Sequence, residues 1–200
     1  KYYRPQIVPS SDGTSYFSCK DLRHPISEKL VRSEYVPNDL EIGKKTKGIL
    51  LFGVNSSGKS VLVKAAVVAV LMAQAGMHVA AEIEYWPYQK IITRLSGNDD
   101  LLKNMSSFIV EMTELNSIVK NCNANTLIAA DELCRGTENQ CATAITLTAI
   151  ETLINSKSSF MFSSHIFELV ESELVKNWLN NKLLNISHLS VEYSENLDKL

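Results

Sequence analysis

The stretch Gly48-Ile49-Leu50-Leu51-Phe52, then Gly53-Val54-Asn55-Ser56-Ser57-Gly58-Lys59-Ser60, then an Ala- and Val-rich run to Gln74, decides the fold class. A short apolar run ending at a glycine predicts a strand, the run from Lys59 to about Gln74 has the length of a helix, and Gly76 is placed to stop it. Between them stands the pattern Gly-x-x-x-x-Gly-Lys-Ser, in which each residue type has a task at a phosphate. Glycines let the backbone pass close to the phosphates with its amides pointing inward, a lysine reaches the outer phosphates, and a hydroxyl reaches Mg²⁺. Gly53, Gly58, Lys59 and Ser60 fill those roles, and Val54, Asn55, Ser56, Ser57 and Val61 complete the loop. At average glycine usage a chance match in a chain of this size is expected less than about once in 100. The competing reading, a plain glycine-rich turn, leaves the context unexplained, since the loop opens a helix whose N-terminus favours anions.

Outward from that loop, short apolar runs alternate with longer amphipathic ones, as expected of a mostly parallel sheet covered by helices. Ile91 to Leu95 is a candidate strand, followed by a Gly97-Asn98-Asp99-Asp100 turn. Ser106 to Lys120 has a helical spacing of Phe108, Met112, Leu115 and Val119. Leu127 to Ala130 predicts a buried strand, Glu138 to Asn155 a helix, Ser159 to Phe162 a core strand, and Phe167 to Asn180 a mostly helical segment. Lys182 to Tyr193 alternates well enough for an edge strand. Residues 1–47 carry Pro5, Pro9, Pro25 and Pro37 and predict short strands and turns that flank the nucleotide site, with residues 48–200 as the core of a single domain.

Bulk properties agree with one globular domain: 200 residues, 45% hydrophobic and 21% charged. A net charge of −2 predicts no general attraction to nucleic acid, so any DNA would be held by other parts of a longer protein. Cys19, Cys122, Cys134 and Cys141 form no Cys-x-x-Cys pair, which favours a reducing, intracellular compartment. No apolar run approaches a membrane span, no leader is evident, and the start at Lys1 reads as that of a soluble fragment.

Two further features fit phosphate transfer. The strand ending at Ala130 runs into Asp131-Glu132, where an aspartate can hold Mg²⁺ and a glutamate can polarise an attacking water. An acidic pair after a strand is also a common solvated turn. His165 follows the next apolar strand, and could contact a γ-phosphate, orient the water, or serve structure alone.

Assembled in order, these pieces resemble the ATPase domain of the MutS family of mismatch-recognition proteins, a branch of the ABC-type P-loop NTPases. The resemblance runs through Leu22-Arg23-His24-Pro25, the loop from Gly53 to Ser60, Ala73-Gln74-Ala75-Gly76 and Ala80-Ala81-Glu82. It continues through Ser106 to Glu114 and Asp131 to Thr137, and ends with Ser163-Ser164-His165 and Phe167-Glu168-Leu169. It implies ATP as the nucleotide, Asn55 on the phosphates, Tyr35 stacked on adenine, and Ser106 reaching the γ-phosphate bound by a second subunit. A half-buried strand tyrosine is the alternative for Tyr35. It also implies a dimer, most simply a homodimer, coupled to a DNA clamp formed by other domains, and no membrane.

Val61 departs from the threonine usual after the loop's Lys-Ser, and Glu138 to Ala142 departs from the common bacterial form. With Asn55-Ser56-Ser57 and Leu133-Cys134, this points to the divergent branch of large DNA viruses and octocoral mitochondria. Leu95-Ser96-Gly97 imitates the start of a transporter signature but lacks the Gly-Gln that should follow. Trp86 and Trp178 are expected to pack, and Lys44, Lys45 and Lys47 to form a solvated turn. The rivals are an ATP-dependent dimerisation switch with little hydrolysis, against which the Asp131-Glu132 pair argues, and another ABC-type ATPase.

Overall fold

The computed structural model describes residues 1–31, 34–95, 107–134 and 138–191. In chain order the elements are β1 (Gln6–Ile7), β2 (Tyr16–Leu22), α1 (Ser27–Leu30), β3 (Asn38–Ile42), β4 (Gly48–Gly53), α2 (Lys59–Gln74), β5 (Glu82–Trp86) and β6 (Lys90–Arg94). There follow α3 (Ser107–Asn121), β7 (Thr126–Ala130), α4 (Asn139–Asn155), β8 (Ser159–Ser163), α5 (Glu168–Glu171), α6 (Glu173–Asn180) and β9 (Leu184–Leu189).

The apolar runs form a five-stranded sheet in the order β6-β7-β8-β4-β9, and every pairing in it is parallel. β4, β7 and β8 are buried throughout, which is why they read as unbroken apolar runs rather than alternating ones. Alternation survives in which face each side chain takes. Ile49, Leu51, Leu127, Ala129 and Met161 pack into one core with α2, while Leu50, Phe52, Ile128, Phe160 and Phe162 pack into another with α3, α4 and α6. α2 ends where expected: Gly76 has φ +74°, its N–H donates to the Ala73 carbonyl at 3.1 Å, and Met77 N–H donates to the Met72 carbonyl at 2.9 Å. This pair of bonds closes a helix on a left-handed glycine.

A second, four-stranded sheet has the order β1-β5-β2-β3. Its strand β5 comes from beyond α2, a strand the sequence pattern did not reveal. The two sheets are joined by polar contacts. The Ser15 hydroxyl faces the Pro87 carbonyl at 2.5 Å and Asn125 Oδ1 at 2.9 Å, and the Tyr88 hydroxyl donates to Ser159 Oγ at 2.9 Å.

Two other boundaries differ from expectation. The segment after Phe167 is two short helices, because Ser172 is extended (φ −63°, ψ 134°). The edge strand β9 starts at Leu184, after Lys182 turns with φ +57°. Trp178 is buried and Trp86 half-buried, and all four cysteines are free thiols. Burial pushes the Cys19 thiol up to about 12. Among the described residues, no helix is long and apolar enough to cross a membrane.

Gly48 of β4 stands opposite Phe160 of β8, and a Cβ added there would lie 2.0 Å from the tip of the Phe160 ring. Gly48→Ala is expected to cost about 2 kcal/mol by overpacking and to lower the thermal midpoint by roughly 4 to 8 °C. Adding Phe160→Leu, which removes the ring tip, should make the pair less unstable than the two single changes summed. Strict additivity in thermal melts would show that the clash is relieved elsewhere.

Candidate functional site

Because β7, β8 and β4 are parallel neighbours, the loops that leave their C-terminal ends emerge on one edge, where open α/β sheets place their ligands. The loop after β4 turns through Gly53 (φ +150°), Ser56 (φ +67°) and Gly58 (φ +96°) into α2. Gly53 admits no side chain: a Cβ there would sit 2.4 Å from the Leu189 carbonyl and 2.7 Å from Ser57 Oγ. Val54, Asn55 and Ser56 are exposed at the tip, whereas Ser57, Gly58, Ser60 and Val61 are half-buried.

Lys59 is only 5% exposed, and its ammonium donates to the Gly53 carbonyl at 2.6 Å and the Val54 carbonyl at 3.0 Å. The lysine therefore folds back across the loop with its charge at the loop's mouth. Ser57 Oγ is buried with no hydrogen-bond partner. At the N-terminus of α2 no side chain caps the helix, and its first turn contains no acidic residue. Amides of a first helical turn lack intrahelical acceptors, so this end is open to an anion.

The acidic pair lies one strand away from β4, across β8. Asp131 N–H donates to the Arg94 carbonyl at 2.8 Å, which extends the β6-β7 ladder, and an Asp131 carboxylate oxygen accepts from the Ser163 hydroxyl. Glu132 has φ +53°, with its N–H shared between the Ser163 carbonyl at 3.2 Å and Ser163 Oγ at 3.0 Å. Its carboxylate meets Nε2 of His165, whose side chain is 40% exposed against 21% for Glu132. The structure thus joins two residues that the sequence left separate.

Tyr35 is half-buried and its hydroxyl accepts the His24 N–H at 3.1 Å. His24 in turn accepts from the amides of Ile26 (3.3 Å) and Ser27 (3.2 Å) through Nδ1. Burial, and after it the charge of Lys64 on α2, hold the His24 imidazole below its usual range. Ser106 and the segment Arg135 to Thr137 lie outside the described residues.

Two residues at this edge escaped notice as individuals. Arg94, at the end of β6, pairs with Glu111 at 3.0 Å and Glu114 at 2.9 Å on α3, and Glu111 also accepts the Cys134 N–H at 2.6 Å. The available signal was the glutamate at 111, one position before Met112 on the helix's apolar face.

A family model described as MutS domain V matches residues 49–198. The chain is 37% identical over 234 residues to a mutS homolog of Acanthamoeba polyphaga mimivirus, covering 98% of this chain and 21% of that protein. It is 39% identical over 192 residues to the mitochondrial DNA mismatch repair protein mutS homolog of Sarcophyton glaucum, covering 95% of this chain and 19% of that protein. With the DNA mismatch repair protein MutS of Syntrophomonas wolfei it shares 35% identity over 198 residues, covering 97% of this chain and 22% of that protein. The chain thus spans about a fifth of the length of the curated relatives it matches.

Gly53 and Gly58 both need a positive φ, but only Gly53 is closed in, since a Cβ at Gly58 would meet nothing within 4 Å. Gly53→Ala should therefore lower the denaturation midpoint clearly more than Gly58→Ala. Equal losses in parallel urea titrations would show that conformation alone, not the contact with Leu189 and Ser57, requires the first glycine.

Proposed function

The chain belongs to the MutS family, and from that premise we propose that it is the ATP-binding and ATP-hydrolysing part of a longer DNA mismatch repair protein. The observation that supports this reading best is the uncapped N-terminus of α2. It stands with the Lys59 ammonium at the loop's mouth and an unpartnered Ser57 hydroxyl, one strand away from Asp131-Glu132. Inward amides, a hydroxyl and a lysine are the donor set that a nucleoside triphosphate requires, and the acids supply what its hydrolysis requires.

In this reading Gly53 to Ser60 is a phosphate loop and the fold is that of an ABC-type P-loop ATPase. Val54, Asn55, Ser56, Ser57, Gly58 and Val61 line the phosphates, and Tyr35 stacks on the adenine with its hydroxyl anchored by His24. Lys59 exchanges its two carbonyl acceptors for the outer phosphates. Ser60 and Asp131 would hold Mg²⁺. Among the described residues no group of three His, Cys, Asp or Glu side chains gathers to bind an ion, so phosphate oxygens and water would complete its shell. When bound, Mg²⁺ supplies positive charge at the β- and γ-phosphate oxygens. Glu132 orients and deprotonates the attacking water, and His165 fixes the carboxylate that does so. Ser106 of a second copy closes the site, and DNA is held by other domains of the protein.

Lys59→Ala is expected to weaken ATP binding at least about tenfold. Glu132→Ala should still bind ATP while turnover falls on the order of 100-fold or more. Equilibrium titration with a fluorescent ATP analogue and single-turnover hydrolysis separate the two effects, and undiminished hydrolysis by the Glu132 variant would remove the role given to it. Mixing Lys59→Ala chains with Ser106→Ala chains tests the shared site. One of the two sites in such a mixed dimer carries both lesions and the other carries neither, so the mixture should recover activity that each variant lacks alone.

A further inference from the structure

We propose that Arg94 is a positioning residue for the Asp131-Glu132 pair, its guanidinium tying the backbone of the acidic loop to helix α3 through Glu111. This rests on the ATPase reading and adds to it a residue that touches neither nucleotide nor water.

Arg94 serves the loop from both ends. Its main-chain carbonyl accepts the Asp131 N–H at 2.8 Å, while Nη1 of its side chain lies 3.5 Å from the carbonyl oxygens of Asp131 and Glu132. The other nitrogens point away, Nη2 to Glu111 at 3.0 Å and Nε to Glu114 at 2.9 Å. Glu111 is buried, and the carboxylate oxygen that takes the guanidinium also takes the Cys134 N–H at 2.6 Å. A buried carboxylate needs such compensation, and here two donors from two different segments provide it.

The loop needs holding. Glu132 and Cys134 have φ of +53° and +61°, in a left-handed region that non-glycine residues leave readily unless neighbouring bonds retain them. Ser163 retains the first through its N–H, and Glu111 retains the second. Arg94 pairs with the Glu111 carboxylate and so keeps it aimed at the loop. Only a planar fork with several donors can span those acceptors, and a lysine in its place could reach one of them at a time. Without the fork the loop is free to relax, and with it the direction of the Glu132 carboxylate.

The test uses the full chain with Arg94→Ala, Arg94→Lys and Glu111→Gln. ATP affinity should stay within about twofold of wild type, because the phosphate loop is untouched. Single-turnover hydrolysis should fall roughly 10- to 100-fold in Arg94→Ala, the scale of a misplacement near 1 Å. Arg94→Lys should recover little. Glu111→Gln should lose less than Arg94→Ala, since its amide oxygen still accepts from Cys134. The deciding readout is a double variant: Arg94→Ala added to Glu132→Gln should slow hydrolysis no further than Glu132→Gln alone.

A further independent loss in that double variant, or a proportional loss of ATP affinity and turnover in Arg94→Ala, would overturn the proposal in favour of general support. Full turnover by Arg94→Ala beside an active wild type would overturn it alone. A wild-type chain that binds ATP without hydrolysing it would remove the ATPase reading and this inference together. Should Arg94→Ala fold poorly, amide exchange at Glu132 and Cys134 in Glu111→Gln and Arg94→Lys decides instead: faster exchange there than in β7 supports the clamp, and unchanged exchange refutes it.

Discussion

Ser163, the last residue of β8, holds the ends of three strands in one place. Its hydroxyl donates to Asp131, its carbonyl and hydroxyl oxygens share the Glu132 N–H, and the following residue, Ser164, donates its N–H to the Leu51 carbonyl of β4 at 3.0 Å. The parallel registers Leu51↔Ser163 and Ala130↔Phe162 bring this about, since they align the last turns of β4, β7 and β8. A slip of one residue would exchange the two faces of every strand, sending Leu50, Phe52, Phe160 and Phe162 toward the α2 side. The packing of the two cores therefore fixes the register, and the register fixes the distance between the glycine loop and the acids.

That same edge carries much of the chain's unusual backbone. Gly53, Ser56, Gly58, Glu132 and Cys134 all have positive φ on the loops that leave β4 and β7, the parallel strands on either side of β8. For Ser56, Glu132 and Cys134 such a conformation costs on the order of 1 to 2 kcal/mol each. Among the described residues, the other non-glycine positions with positive φ, Asp21, Lys157 and Lys182, stand apart from these loops. Strained residues that neighbouring bonds hold in place cluster at active sites in general, which fits the site proposed above. Here the retaining bonds can be named: Ser163 and Glu111 for the acidic loop, and for the glycine loop Ser57 N–H to the Val54 carbonyl together with Lys59 across its mouth.

What the sequence reveals and what it hides follows from the range of the interactions involved. The glycine loop was legible because its signal is local: an apolar strand, fixed spacing, and a helix closed by Gly76. The order of the remaining core elements was legible for the same reason. β5 was not, because Glu82 to Trp86 is a half-exposed strand that belongs to the small sheet and is defined by partners far away in sequence, Tyr16 to Lys20. The division after Phe167 escaped because a single extended serine leaves the apolar spacing nearly intact. Within the site, the tasks of Glu132 and His165 could each be framed from residue type. Their contact spans 33 positions, and that of Arg94 with the acidic loop depends on two strands and a helix meeting. Nothing local to Arg94 announces it.

The joint between the two sheets bears on how such a site can respond to a ligand. The two sheets share an apolar core, where Phe17, Ile42 and Ile83 of the small sheet cluster with Ile49, Leu51 and Met161 of the large one, and hydrophobic contact of this kind is non-directional. Polar bonds add direction to it: Ser15, Asn125, Pro87, Tyr88 and Ser159 form a hydrogen-bonded set of which Ser15, Tyr88 and Ser159 are buried, and Gln74 at the end of α2 exchanges bonds with the Tyr88 backbone at 2.7 and 3.1 Å. Breaking any member of a buried polar set leaves unsatisfied groups, at about 1 to 3 kcal/mol each, so the set holds one arrangement. With the two sheets held so, any response to a ligand at the site proposed above falls to the loops at the C-terminal ends of β4, β7 and β8.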